Sequence, residues 1–540
     1  MALGKLLRLW RLLRLGRRLC GAAVFILLTL LFVGTGDFLP AGAHFMARLQ
    51  LVPALLAGFW LTLALLLLAT VLFGRVYCSF ICPLGILQDL LARLYSWRKK
   101  RQFCYRPPSR AIRLGVAVFF LGALLFGNSV LVTLLEPYSL YGIMAVHCCK
   151  QGWIFLNNGL SQYAPLASFF GLYPLPYPNL ALASLLIATF LAVFFAVFVW
   201  LRGRDYCSRI CPVGTVLGWL GRFALLRIRF DAVRCVHCRR CEQVCKTSCV
   251  DSGRQLIDYS RCVTCFNCLP VCEHQALAYR LPRLTGKVGN STLIPVPKGQ
   301  VKKKPSSPPF LDTKRRQFVG LHLAAVAGMG GLVLAQAKAG TAGSTVVTGE
   351  QETGQRAITP PGSRSRAHFS RRCTACQLCV ASCPTRVLRP ATGEYGFLHV
   401  LQPRMDFRHG YCNYDCVVCT QVCPSGAILP LTIQEKHETQ AGTVQFVQHL
   451  CVVESKKQSC GACAEHCPSL AVKMVSYDKV PGLTIPVITP DLCVGCGACE
   501  HACPVVPDKA IYVQGLLVHQ KARILPKGQE LHQQVEGFGF

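Results

Sequence analysis

The sequence predicts a multi-domain chain of α plus α/β class: a four-helix membrane half followed by two small, cysteine-rich α+β units. Three observations predict it. Hydrophobic residues make up 52% of the chain and mean hydropathy is +0.39, above the range of ordinary soluble enzymes. Four apolar runs, near 19–35, 51–74, 114–135 and 180–201, approach the ~20 residues that cross a ~30 Å hydrocarbon layer. Thirty-three cysteines fall mostly in short, repeated spacings after residue 230.

The first region, 1–230, holds the four spans, and its basic residues set their orientation. Segment 1–18 carries six Lys/Arg and 75–113 carries nine, whereas 36–50 has only Arg48 and 136–179 only Lys150. Lys and Arg favour the cytoplasmic side, so the N-terminus is expected inside. The formal charge of +33 is then largely topological, and no nucleic-acid partner is expected. Two frames of the form R-x-Y-C-S-x-I-C-P-x-G follow the second and fourth spans, "RVYCSFICPLG" from 75 to 85 and "RDYCSRICPVG" from 204 to 214. The membrane half is thus read as a duplicated hairpin plus motif.

Residues 231–281 form the first cysteine-rich unit. Cys235, Cys238, Cys241 and Cys245 are spaced C-x2-C-x2-C-x3-C, and Cys262, Cys265, Cys268 and Cys272 repeat the pattern. Three close thiolates hold three irons of a cubane and the fourth crosses to the other cluster. A zinc site would leave the third cysteine of each triplet idle. Lys246 and Glu273 stand where proline usually follows the fourth cysteine, and Cys249 competes with Cys245 for the crossing role.

Next come a Pro/Ser/Lys-rich linker, 282–314, and a segment, 315–339, with Arg315 and Arg316 ahead of a modestly apolar stretch. That segment reads as a twin-arginine signal or a fifth membrane helix. A tether, 340–370, is expected before the second unit at 371–515, and 516–540 is a tail without a motif. The second unit has four groups: Cys373, Cys376, Cys379 and Cys383; Cys412, Cys416, Cys419 and Cys423; Cys451, Cys460, Cys463 and Cys467; Cys493, Cys496, Cys499 and Cys503. Each last cysteine precedes proline. Ligand exchange between neighbouring groups, or nested from first to last, fits the even gaps equally. Six [4Fe-4S] clusters follow from the two units, both ferredoxin-like. No P-loop, dinucleotide fingerprint or HExxH occurs, so the chain reads as an electron conductor.

The doubled R-x-Y-C-x3-C-P half with a two-cluster ferredoxin resembles the NapH family, and the twin-arginine segment with four clusters resembles the NapG family. Together they resemble the NapGH quinol dehydrogenase module and its relatives in methylamine dehydrogenase clusters. The resemblance implies quinol as substrate, the quinone pool and a periplasmic reductase or cytochrome as partners, and a multi-pass place in a bacterial inner membrane. It also implies 231–281 in the cytoplasm and 371–540 in the periplasm. A membrane polyferredoxin serving maturation or regulation of a periplasmic metalloenzyme is the alternative.

Catalytic residues are not legible, but candidates are. Cys78/Cys82 and Cys207/Cys211 could each present two sulfurs to one spot, as redox thiols or a further metal site. Glu136, beside Tyr138 and Tyr141 at the outer end of the third span, is a candidate proton acceptor for quinol. A ~30 Å layer is too thick for one tunnelling step, so quinol or a centre within the helices has to bridge the cluster sets.

Overall fold

A computed structural model describes residues 2–34, 41–98, 103–163, 173–177, 182–281 and 357–524. The expected linker, the twin-arginine segment and residues 340–356 of the expected tether lie outside the described residues. The described residues belong to one compact unit.

Helix α1 (Ala2–Val33) covers 19–33 of the first expected span and continues it back through the basic N-terminal segment. The second expected span, 51–74, is two helices. α2 (Leu51–Ala57) stops where Gly58 turns left-handed at φ +77°, and α3 (Trp60–Phe73) begins just beyond it. Glycine adopts that conformation freely, whereas a Cβ disfavours it. After the first frame, α4 (Pro83–Arg98) starts at the motif proline.

The third expected span is divided for a similar reason. α5 (Arg110–Leu125) ends before Gly127, and the Asn128 side chain accepts the Leu131 N–H to start α6 (Ser129–Leu135). Pro137 opens α7 (Pro137–Met144), which continues through a π-turn into α8 (Lys150–Ser161). Helix α6 meets that run at 86°. The fourth span is the continuous α9 (Leu182–Arg202), and α10 (Pro212–Leu220) follows the second frame.

Among the described residues, two helices are therefore long and apolar enough to cross a membrane, 8–33 and 182–202, or three if the bent pair counts as one. This replaces the expected four-helix half: Gly58, Gly127, Asn128 and Pro137 divide two of the four runs. Helices α3, α5 and α9 still leave Leu61, Leu65, Leu121, Leu125, Leu182 and Leu186 exposed.

The two α+β units dock at opposite ends of α3, which is 14 residues and so about 21 Å long. In the first unit β1 (Arg227–Phe230), β2 (Val250–Asp251), β3 (Leu256–Ile257) and β4 (Leu277–Arg280) make antiparallel pairs, β1 with β4 and β2 with β3. It begins at 227 rather than 231. It binds the C-terminal end of α3, where the Phe73 carbonyl accepts the Thr264 and Tyr279 hydroxyls at 3.3 and 3.1 Å.

The second unit pairs β5 (Leu388–Pro390) with β6 (Pro403–Met405). It also pairs β7 (Thr439–Phe446) with β10 (Ile511–Lys521), between which β8 (Val472–Ser476) pairs with β9 (Thr484–Ile488). Packed chain begins inside the expected tether, with Ile358 bridged to Met405 and Phe369 fully buried. Strand β10 carries order to Lys521, past the expected boundary at 515. This unit meets the other end of the helices. Gly426 sits against Ala57, and Ser129 and Thr133 donate to the Leu398 and Thr374 carbonyls, both at 2.8 Å.

Candidate functional site

The cysteines of both units gather in sets of three plus a remote fourth. One small cavity is lined by Cys235, Cys238, Cys241 and Cys272, a second by Cys383, Cys412, Cys416 and Cys419, and a third by Cys451, Cys460, Cys463 and Cys503. Cys423 faces Cys373, Cys376 and Cys379 closely enough to couple with them electrostatically, and Cys467 does so with Cys493, Cys496 and Cys499. The fourth cysteine of each group thus lies with the triplet of the neighbouring group, and the arrangement is not nested. The last set, Cys262, Cys265 and Cys268, is closed by both Cys245 and Cys249, whose sulfurs are 3.5 Å apart.

The backbone suits these sets to a cubane. In the four regularly spaced groups, the residues flanking the second cysteine are left-handed: His237 and Arg239, Thr264 and Phe266, Ala375 and Gln377, Gly495 and Gly497. Alternating left-handed residues turn successive N–H groups to one side, a concavity that favours anionic sulfur. Only the last pair was legible as glycine. At Gly497 a Cβ would lie 2.1 Å from the Phe407 ring. Burial pushes the Cys376, Cys463 and Cys496 thiols up to about 12. Thiolates there require the positive charge of bound iron, and loading releases protons.

Between the units, the two R-x-Y-C frames pack about a pseudo-twofold axis. Each arginine crosses to the other copy: Arg75 donates to the Cys207 carbonyl at 2.8 Å and Arg204 to the Cys78 carbonyl at 2.6 Å. Both guanidiniums are 0% exposed. The motif glycines are required by this crossing. A Cβ on Gly85 would lie 2.3 Å from the Cys78 carbonyl oxygen, and one on Gly214 2.3 Å from that of Cys207. Cys78, Cys82, Cys207 and Cys211 are all buried and mutually coupled. Their place is the centre of the helical half, next to the Cys262 set. Ser79 donates to the Val263 carbonyl at 2.9 Å and Arg75 to the Ser260 carbonyl at 3.0 Å.

On the opposite side the motif tyrosines lead toward the four-group unit. The Tyr206 hydroxyl donates to the Leu135 carbonyl at 3.1 Å, and Tyr77 donates to Gln50 at 2.9 Å. Leu135 adjoins Glu136, which lies between the tyrosines and Cys376 and couples to all three. A Cβ on Gly142 would be 2.3 Å from the Cys376 carbonyl oxygen, so α7 rests directly on that set. Further on, Cys412 donates its N–H to the Cys496 carbonyl at 2.9 Å, which joins the two dicluster pairs.

Glu136 is turned into the protein interior. It is 0% exposed and caps α7 through the Ser139 N–H, with Oε1 unpartnered. The break at Pro137 folds it inward. The larger cavity near the second unit was not anticipated. It measures about 420 Å³ and is lined by Val146, Lys150, Tyr177, Leu388, Arg389 and His409 among others. Arg75, Arg204 and Gln88 were also missed as site residues; the repeated Arg of the frame was the available signal.

Comparison with known proteins agrees with these groupings. A family described as a 4Fe-4S binding domain matches 55–102 and 183–231, the stretches that carry the two frames. Two families, each described as a 4Fe-4S dicluster domain, match 372–428 and 458–506, the first neighbour pair whole and the second without Cys451. The ferredoxin-type protein NapF of Escherichia coli is 28% identical over 168 residues, 31% of this chain and 93% of that protein. The ferredoxin-type protein NapG of Escherichia coli is 29% identical over 185 residues, 32% of this chain and 79% of that protein. The methylamine utilization ferredoxin-type protein MauM of Methylorubrum extorquens is 30% identical over 211 residues, 37% of this chain and 86% of that protein. No solved structure matches. With cysteine sets, backbone concavities and relatives in accord, the chain belongs, over the stretch they share, to the ferredoxin-type iron–sulfur proteins of the MauM family.

Proposed function

We propose that this chain is a membrane-embedded iron–sulfur relay, a NapH-like half fused to a NapG-like half, which oxidises quinol and passes the electrons to an exported reductase or cytochrome. Six [4Fe-4S] clusters are ligated as grouped above. The basic segments and the docking of the two units at opposite ends of α3 support the two-cluster unit facing the cytoplasm and the four-cluster unit the periplasm. The exposed apolar faces of α3, α5 and α9 support contact with lipid.

The carrying observation is the 420 Å³ cavity, whose volume is within the range of small-molecule sites. It shares Pro384, Thr385 and Leu388 with the pocket of Cys383, Cys412, Cys416 and Cys419. Apolar walls suit the ring, and Lys150, Arg386 and Arg389 favour the quinol anion. Burial and Arg389 hold His409 below its ordinary value, so it is neutral and able to take a proton. One quinol releases two protons and two electrons, and the electrons enter the adjacent cluster one at a time. They leave through the Cys412–Cys496 contact toward the Cys451 set.

The test is anaerobic reduction by a short-chain naphthoquinol, followed as bleaching of cluster absorbance. Lys150→Met with Arg389→Met is expected to slow it by about tenfold, equivalent to about 1.4 kcal/mol of barrier, while dithionite reduces the variant normally. An unchanged quinol-driven rate overturns the site.

A further inference from the structure

We propose that Lys436 is a tuning residue, whose ammonium raises the reduction potential of the cluster held by Cys383, Cys412, Cys416 and Cys419. The inference rests on the reading that this set holds a cluster, and not on where quinol binds.

The first support is placement. Lys436 lies on a short helix, Ile433–His437, which starts with a capping box. The Thr432 hydroxyl accepts the Glu435 N–H at 3.2 Å, and the Glu435 carboxylate accepts the Thr432 N–H at 2.7 Å. At the other end His437 stacks on Tyr414, with ring centroids 3.8 Å and planes 7° apart, and pairs with Asp415 at 3.0 Å. The helix is therefore held against the longer, C-x3-C opening of this group. Within that clamp Lys436 is 6% exposed, and its Nζ donates to the Asn413 and Cys416 carbonyls. It is also close enough to Cys412 and Cys419 to interact electrostatically with both.

The second support is charge. Lysine is almost never buried to this degree unless it is paired. The nearby acids are engaged elsewhere: Glu435 with Thr432, Asp415 with His437, and Glu438 with Lys521 at 3.3 Å. Among the described residues no carboxylate pairs with Lys436, and its hydrogen-bond acceptors are the two carbonyls. A buried ammonium is unfavourable without an anion. A cluster on four thiolates is net negative and supplies that anion. Cys383, the remote member of the same set, also faces a cation, Lys150.

The third support is the charge change itself. Reduction adds one electron to the cluster and moves no proton or atom. The added charge is attracted to a fixed cation more strongly in a protein interior than in water, so the reduced state gains more than the oxidised one. An electron entering the four-group unit is then held more firmly at this set than it would be without Lys436.

The experiment titrates anaerobically purified full-length protein and its Lys436→Met variant with dithionite, read by electron paramagnetic resonance, with iron and sulfide counted per chain. The variant is expected to keep its iron and sulfide. One titrating species should lose at least tenfold in its equilibrium constant for reduction, about 59 mV for one electron, while the others stay in place. Lys436→Arg keeps the charge and is expected to titrate as the parent does, which a role in packing alone does not require. An unchanged titration in Lys436→Met overturns the proposal, and so does an equal fall in Lys436→Arg. Should Lys436→Met lose its clusters, Lys436→Gln keeps a donor for the carbonyls without the charge, and the same fall is expected of it; an unchanged titration there overturns the proposal too. A parent without iron would overturn the cluster reading and this inference with it, a result distinct from an unchanged potential. Quinol oxidation can fail without moving either readout.

Discussion

Replacing Asp89 by asparagine should loosen the attachment of the two-cluster unit to the helices. Its carboxylate is 13% exposed and faces three cations, Arg17 at 2.8 Å, Lys246 at 3.2 Å and Arg204 at 3.5 Å. Those residues come from α1, from the turn beside Cys245 and from the second R-x-Y-C frame, so one side chain ties three parts together. Removing one partner from a buried ion network costs roughly 3–5 kcal/mol, because the opposite charges stay buried and uncompensated. At roughly 2 °C per kcal/mol for a large domain, the expected fall in melting temperature is about 6–10 °C. Burial alone would raise the Asp89 pKa, but Arg204, Lys246 and Arg17 outweigh it and hold the carboxyl well below the usual range. A carboxylate so depressed contributes stability that is complete above about pH 4 and is lost as pH falls below that. The deficit of Asp89→Asn, measured by cluster bleaching during a thermal ramp, should therefore be equal at pH 6 and pH 8. A melting temperature within 1 °C of the parent, on the order of the error of such ramps, would refute the reasoning. So would a deficit that disappears at pH 6.

Three further outcomes are expected. Cys245 Sγ accepts the Cys249 N–H at 3.4 Å and completes the C-x3-C spacing. Cys245→Ala should then lower the iron content by up to about four per chain and Cys249→Ala should not, as read by iron analysis. Gly85→Ala would place a Cβ 2.3 Å from the Cys78 carbonyl oxygen; overpacking of about 1–3 kcal/mol should lower the melting temperature, while Gly115→Ala, with open space around it, should not. Tyr206→Phe removes the hydroxyl bond to the Leu135 carbonyl, at a cost of about 1 kcal/mol in thermal stability, with cluster content retained.

The cysteine spacings, the doubled frame and the basic segments were legible because each is a local rule. A thiolate triplet with a fourth ligand is set by the size of a cubane, and lipid imposes composition on a span. By itself, then, the sequence determined the chemistry and the duplication. It did not determine which fourth cysteine closes which set, since the gaps between groups are nearly equal; only the packing of β7 against β10 and of the neighbouring groups decided that. Nor could apolar length alone place Glu136. Gly127, Asn128 and Pro137 interrupt the third run, and the fold turns that glutamate into the interior. The meaning of the motif arginines was likewise out of reach, because each bonds to the other copy of its own frame. Such a contact exists only once two segments distant in the chain have been brought together, and a buried charge takes its partners from wherever the tertiary structure supplies them.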